Sequence, residues 1–191
     1  IETVLEAALQ NMTAYYKENS LRPNPTKTQT AAFHLRNREA NKQLQVRWND
    51  VLLEHSEAPK YLGVVLDSTL SYRRHVEKTK AKVNTRNNII DKLTNSSFGS
   101  DPTTIRTAAL ALCFSAAEYA SSVWSRSTHA RKVDTALNTA CRKITGCLKP
   151  TKVEHLYELA GIEAPSERRG WAATNERFKV DTDPRHPLHN H

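Results

Sequence analysis

The sequence predicts an α+β fold that is mostly helical, with short strands and a hairpin over about residues 28–67 followed by a helical bundle. Alternation of apolar and polar residues is confined to the stretch before residue 67. From residue 71 the apolar period changes to three and four and stays there. Hydrophobic residues make up 38% of the 191 and charged residues 25%, a composition that supports a packed core rather than a disordered chain. The predicted organisation is residues 1–70, residues 71–179 and a disordered tail over 180–191, where two prolines interrupt any period.

Taken in order, Ile1, Val4, Leu5, Ala8, Leu9, Met12, Tyr15 and Tyr16 recur at steps of three and four, the apolar stripe of an amphipathic helix over 1–20. That helix opens without a capping residue, so the chain is expected to continue upstream. Pro23-Asn24-Pro25 ends it in a turn. Ala31, Phe33 and Leu35 alternate as in a half-buried strand over Thr30–Leu35. Leu44, Val46 and Trp48 alternate likewise, Asn49-Asp50 supplies a tight turn, and Val51-Leu52-Leu53 returns as a hairpin. The segment Lys60–Asp67 is apolar on both faces and is predicted to be a buried strand.

The helical part begins with Ser71–Leu93, whose stripe is Tyr72, Val76, Val83, Ile90 and Leu93. Asp101-Pro102 opens a second helix, acid at the cap and proline at the first position, expected to run through an alanine-rich stretch to about Trp124. A third spans about Arg131–Leu148 with Val133, Leu137, Cys141 or Ala140, Ile144 and Leu148 inside. A short helix over Lys152–Ala160 closes at Gly161, and another follows Pro165.

Charge and motifs narrow the chemistry. The formal net charge is +8, and its densest excess, +4, falls in residues 61–93. Such a balance favours polyanionic partners. There is no apolar run long enough for a membrane span, and the mean hydropathy is −0.64. Three cysteines, an odd number, argue against a disulfide framework and point to a reducing compartment. Cys141 and Cys147 are too far apart for a zinc-type pair, so no metal site is predicted, and no phosphate-binding glycine loop or nucleophile elbow is present. Arg74, Lys78, Lys82 and Arg86 repeat every four residues along the first bundle helix, a row of roughly 18 Å suited to nucleic-acid phosphates.

The block Lys60-Tyr61-Leu62-Gly63-Val64-Val65-Leu66-Asp67, followed by Thr69-Leu70-Ser71-Tyr72 and His75-Val76, resembles the segment joining palm and thumb in reverse transcriptases of jockey-like non-LTR retrotransposons. Asn24-Pro25-Thr26-Lys27-Thr28 with Phe33 is similar to that family's Asn-x-x-Lys-Thr turn and following strand. Glu118-Tyr119-Ala120 with Trp124, Asn138–Gly146, and Leu156–Leu159 with Gly161-Ile162 resemble its thumb helices. The resemblance covers about residues 1–178 and implies a C-terminal palm-and-thumb fragment of an intracellular RNA-directed DNA polymerase, acting in the nucleus or cytoplasm. It implies an RNA/DNA template–primer duplex as partner, together with the upstream fingers and palm of the same polypeptide. Lys27 then matches a lysine near the incoming phosphates, a general acid toward pyrophosphate. Tyr61, Leu62 and Gly63 match the primer-grip hairpin, and Arg74, Lys78, Lys82 and Arg86 match the thumb helix facing the duplex. The parent would use Mg²⁺ held by a pair of adjacent aspartates, yet no two acidic residues are adjacent in this chain, so no cofactor is expected here. Two other readings are a basic helical nucleic-acid-binding module with no polymerase parent and a protein-interaction scaffold.

Overall fold

A computed structural model describes residues 1–94 and 99–189; the last two residues of the expected tail lie outside the described residues. Among the described residues the chain is mostly helical, with three small two-stranded sheets. It divides into two compact units, Ile1–Arg74 and His75–His191, each with its own core.

In the first unit, helix α1 (Glu2–Glu18) is followed by a 3-10 turn at Pro25–Lys27, strand β1 (Gln29–Thr30) and the single turn α2 (Asn37–Ala40). Strands β2 (Arg47–Trp48) and β3 (Val51–Leu52) form the expected hairpin, pairing Arg47 with Leu52 and Trp48 with Val51. Asn49 and Asp50 both have positive φ, 49° and 62°, the twist that two-residue hairpin loops need and that Asn and Asp tolerate best. Strand β4 (Glu54–His55) pairs in parallel with β1, and β5 (Lys60–Tyr61) turns back through Leu62-Gly63 into β6 (Val64–Val65).

The core here is Leu44, Val46, Trp48 and Leu53, with Leu9, Tyr16 and Ala32 packed against it. Helix α1 reaches it through Glu2, Glu6, Leu9, Thr13 and Tyr16. The Glu2 and Glu6 carboxylates each accept a backbone N–H, from Gln45 and Arg47, at 2.9 Å. Trp48 Nε1 donates to Thr13 Oγ1 at 2.7 Å. The stripe predicted from periodicity is therefore only half used: no residue of α1 is buried, and Ile1, Val4, Leu5, Met12 and Tyr15 remain exposed. A helix with an apolar arc wider than its contact leaves the surplus outside.

Two strand expectations also change. Regular pairing after the 3-10 turn stops at Thr30, and Phe33 and Leu35 are exposed. Lys60–Asp67 is a hairpin, with Val64 and Val65 buried but Tyr61 and Leu62 exposed at its tip. Gly63, at φ 85°, supplies half of that turn; Leu62, at φ 44°, holds a conformation disfavoured for a bulky residue.

The second unit starts in α3 (Arg73–Leu93), whose Val76, Val83 and Ile90 are fully buried. Helix α4 (Pro102–Ala109) is capped by Asp101, whose Oδ1 accepts the Thr103 and Thr104 N–H groups at 2.9 and 3.1 Å. A π-helical stretch, Leu110–Phe114, leads into α5 (Ser115–Glu118). The single helix expected to reach Trp124 instead breaks at Tyr119-Ala120, where Ala120 takes φ 49°, and restarts as α6 (Ser121–Trp124). The break lets Trp124 bury almost completely while its Nε1 donates to the Tyr119 carbonyl at 3.1 Å. Burial of an indole outweighs a few tenths of a kcal/mol of alanine propensity.

Helix α7 (Arg131–Thr145) buries Val133, Leu137, Ala140, Cys141 and Ile144 as predicted, but Gly146 at φ 69° ends it. Leu148 therefore falls beyond the helix and is exposed rather than in its stripe. Helix α8 (Val153–Ala160) closes at Gly161, φ 60°. Arg106 holds that end, donating from Nε to the Ala160 carbonyl at 3.0 Å and from Nη2 to the Gly161 carbonyl at 2.6 Å. Helix α9 (Pro165–Thr182) runs three residues into the expected tail and is fixed at its start by Arg168 on Glu118 and Arg169 on Asp134. Residues 184–189 that follow it form turns.

Candidate nucleic-acid interface

Lys27 ends a turn held almost entirely by Asn24. The Asn24 Oδ1 accepts from Thr26 N at 3.1 Å and Thr26 Oγ1 at 2.6 Å, while its carbonyl accepts from Lys27 N and Thr28 Oγ1 at 3.1 and 3.0 Å. Proline on either side of Asn24 restricts the backbone further. The Lys27 side chain stands exposed on a rigid base. In the same unit, the tip of the β5–β6 hairpin presents Tyr61 and Leu62 to solvent.

The start of α3 is set by Asp67. Its Oδ2 accepts from Thr69 Oγ1, Ser71 N and Ser71 Oγ at 3.0, 2.9 and 2.6 Å, and its Oδ1 from Tyr72 N at 2.6 Å. Partial burial pushes the carboxyl pKa up, but the hydrogen bonds from Ser71, Thr69 and Tyr72 together outweigh it and hold the group below its usual value. The same bonds stabilise Leu70 and Tyr72 in left-handed conformations, φ 53° and 59°.

Along α3 the four-residue row does not stay on one face. Four residues turn the helix by about 40° beyond a full circle, so three such steps carry the row about 120° around the axis. Lys78 and Lys82 are exposed. Arg86 has rotated inward, where its Nη1 donates to the Leu112 carbonyl in the π-helical stretch. Arg74, at the other end, pairs with Glu57 at 3.5 Å. The row of four thus leaves two unpaired lysines. Lys92, which the spacing argument passed over, returns to the exposed face fourteen residues after Lys78. Counting 100° per residue, rather than a repeat of four, identifies it.

The acids of α3 are placed away from this strip. Glu77 accepts from Lys132 of α7 at 2.9 Å, and Asp91 pairs with Lys143 of the same helix. Between these pairs, buried Asn87 donates to the Ala136 carbonyl at 2.8 Å and accepts from Cys113 Sγ at 3.3 Å. The exposed strip of Lys78, Ala81, Lys82, Thr85, Ile89 and Lys92 therefore holds three cations and no acid.

Nucleophilic chemistry has little support. Burial pushes the Cys113 thiol up to about 11 and the Cys141 thiol up to about 12, far from a reactive thiolate. His75 is lowered, first by burial and then by Lys78, and packs against Trp124 with ring centroids 6.0 Å apart. No group of three or more metal-ligating side chains is gathered among the described residues. The aspartates present do not fit a polymerase metal pair. Asp67 is enclosed in its loop, Asp101 caps α4, and Asp91, Asp134, Asp181 and Asp183 are ion-paired, while Asp50 stands alone at the β2–β3 turn with no second aspartate adjacent in sequence. Among the described residues no helix is long and apolar enough to cross a membrane. In comparisons with known proteins the chain matches no family model, no curated protein and no solved structure.

Proposed function

We propose that this chain is the C-terminal palm-and-thumb part of a retrotransposon reverse transcriptase and contacts the template–primer backbone through α3. The observation that carries the nucleic-acid reading is the acid-free strip of Lys78, Lys82 and Lys92, with both α3 acids neutralised by α7. Cations held side by side without local counter-charges stabilise a bound polyanion and gain by releasing its counterions. The polymerase parentage rests on the resemblance of the Tyr61–Gly63 hairpin and the Asn24–Thr28 turn. The rigid base under Lys27 suits an ammonium that meets a pyrophosphate leaving group. The exposed apolar row on α1 suits a first unit that packs against the upstream part of the same polypeptide. Catalysis is assigned to that upstream part, because the family's metal site needs a pair of adjacent aspartates and no two acidic residues are adjacent in this chain.

The binding claim is tested by the salt dependence of affinity for an RNA–DNA duplex. Each neutralised phosphate contributes about 0.9 to the slope of log K against log[salt], so changing Lys78, Lys82 and Lys92 to Gln should flatten it by about 2.7. An unchanged slope in a folded variant would remove α3 from the interface. The purified chain alone should not extend a primer with Mg²⁺ or Mn²⁺, and template-dependent incorporation would overturn the division of labour.

A further inference from the structure

We infer that the outer face of α9 is a contact surface for a second copy of this chain, with the two α9 helices side by side and parallel. Counted at 100° per residue, Arg169, Ala172, Ala173 and Val180 fall on one side of α9, and these are its buried or half-buried residues after Arg168. Trp171 and Phe178 fall on the opposite side, about 20° apart around the axis and about 10.5 Å apart along it. They are 62% and 67% exposed, and Thr174 and Asn175 between them are exposed too. This aromatic ridge adds nothing to the core of its own unit. Aromatic side chains concentrate at the centres of protein–protein contacts, and tryptophan is among the commonest anchors there.

The charges beside the ridge divide by sign. Arg168 and Lys179 lie on one flank, about 60–80° from Trp171, and Glu167 and Asp181 on the other, about 40–80° away. Lys179 pairs with Glu176 at 3.0 Å and Arg177 with Asp181 at 3.8 Å, exposed pairs that exchange partners at little cost. Arg168 is held by Glu118. A polyanion laid here would meet Glu167, Glu176 and Asp181 as well as Arg177 and Lys179, so the face is not built for phosphates. It does complement itself. A two-fold axis parallel to the helices brings the basic flank of each copy against the acidic flank of the other, with Lys179 beside the partner's Asp181. Trp171 and Phe178 then meet their own counterparts, and the packed side of each helix faces away from the contact. An antiparallel pair would set like flanks together, Lys179 beside the partner's Arg168 and Asp181 beside the partner's Glu167. The exposed parts of the two rings supply roughly 200–300 Å² per copy, well under the about 800 Å² of a standard interface, so the dimer is weak and reversible.

The test is sedimentation equilibrium of the full chain, with tryptophan emission followed over the same concentrations. Trp48 and Trp124 are buried, so Trp171 supplies the solvent-exposed part of that emission. The expected result is a monomer at about 1 μM and a dimer with Kd on the order of 10–100 μM, accompanied by a shift of emission to shorter wavelength. Trp171→Glu with Phe178→Glu should weaken the dimer at least about tenfold and leave the melting curve unchanged. Lys179→Glu should also weaken it, and Lys179→Glu with Asp181→Lys should restore it. A dimer strengthened by Lys179→Glu alone overturns the parallel arrangement. A mass that stays monomeric up to about 500 μM, or a dimer that the aromatic variant leaves intact, overturns the inference. So does a loss of RNA–DNA duplex affinity in the aromatic variant, which would give this face to nucleic acid instead. The variants leave Lys78, Lys82 and Lys92 in place, so the α3 reading stands or falls separately.

Discussion

Replacing Arg169 removes the connection on which the placement of α9 depends. Its guanidinium makes two parallel hydrogen bonds to Asp134, one at 3.0 Å, and lies 5.8 Å from the centre of the Trp124 ring. The Arg169 side chain is 8% exposed and that of Asp134 23%. Arg169→Leu keeps the apolar contact but strands a mostly buried carboxylate, which costs about 3–5 kcal/mol in buried pairs. The residual exposure of Asp134 places the expected loss near 3 kcal/mol. For a unit of this size that corresponds to a melting-temperature drop of about 10 °C or more. Arg169→Lys should recover less than half of it, because an ammonium can neither bridge both oxygens nor stack on the indole. The double variant Arg169→Leu with Asp134→Leu should return to within about 1 kcal/mol of wild type, since no charge is then left buried alone. Urea unfolding of the full chain followed by far-ultraviolet circular dichroism measures all three. If Arg169→Leu costs less than 1 kcal/mol, the pair is incidental and α9 is held by its other contacts.

Acid sensitivity should trace in part to Asp67. Its pKa is depressed in the folded chain, so its contribution is present above the unfolded value, about 3.9, and fades as pH falls through the lower folded value. Asp67→Asn should cost about 1–2 kcal/mol at pH 7, and the gap to wild type should close below about pH 4; a gap independent of pH would refute the assignment. Thiol labelling should be selective, with Cys147 modified by iodoacetamide at pH 8 in native conditions and Cys113 and Cys141 only after denaturation. Equal labelling of all three in the folded chain, read by mass spectrometry, would show that the α4–α7 packing opens readily.

What was legible in the residues was mainly the punctuation. Asn49-Asp50 marks a hairpin because few residues accept two consecutive positive φ values, and Asp101-Pro102 and Gly161 mark helix ends for equally local reasons, whereas the expected helix over Arg131–Leu148 runs past the Gly146 that ends it. Contacts made at long range were less legible. Periodicity shows that α1 has an apolar arc but not which half meets Trp48, since the carboxylates of Glu2 and Glu6 take part in that choice through backbone bonds. The kink at Ala120 has no glycine or proline to announce it and arises from where Trp124 is buried. The interface shows the same split. Lys78 and Lys82 follow from their spacing, Arg86 is misplaced by accumulated helical rotation, and Lys92 emerges only when the full 100° per residue is counted along α3.

The π-helical stretch at Leu110–Phe114 makes the segment from Pro102 to Glu118 sensitive to its phase. A turn that closes from i to i+5 accommodates one residue more than a regular helix would, and the residues before it are rotated relative to those after it by about 100°. Ile105, Ala109 and Arg106 face their neighbours with that extra residue counted in, as do Phe114 and Ala117 beyond it. Deleting any one residue between 110 and 114 would let the backbone relax into an unbroken α-helix, the locally easier structure. It would also swing Arg106 away from the Ala160 and Gly161 carbonyls and remove the need for Arg86 to reach the Leu112 carbonyl. In this segment, then, a change of length is a more severe mutation than most changes of side chain. A one-residue deletion of this kind leaves hydrophobicity and helix propensity almost untouched and still disconnects α8 from α4.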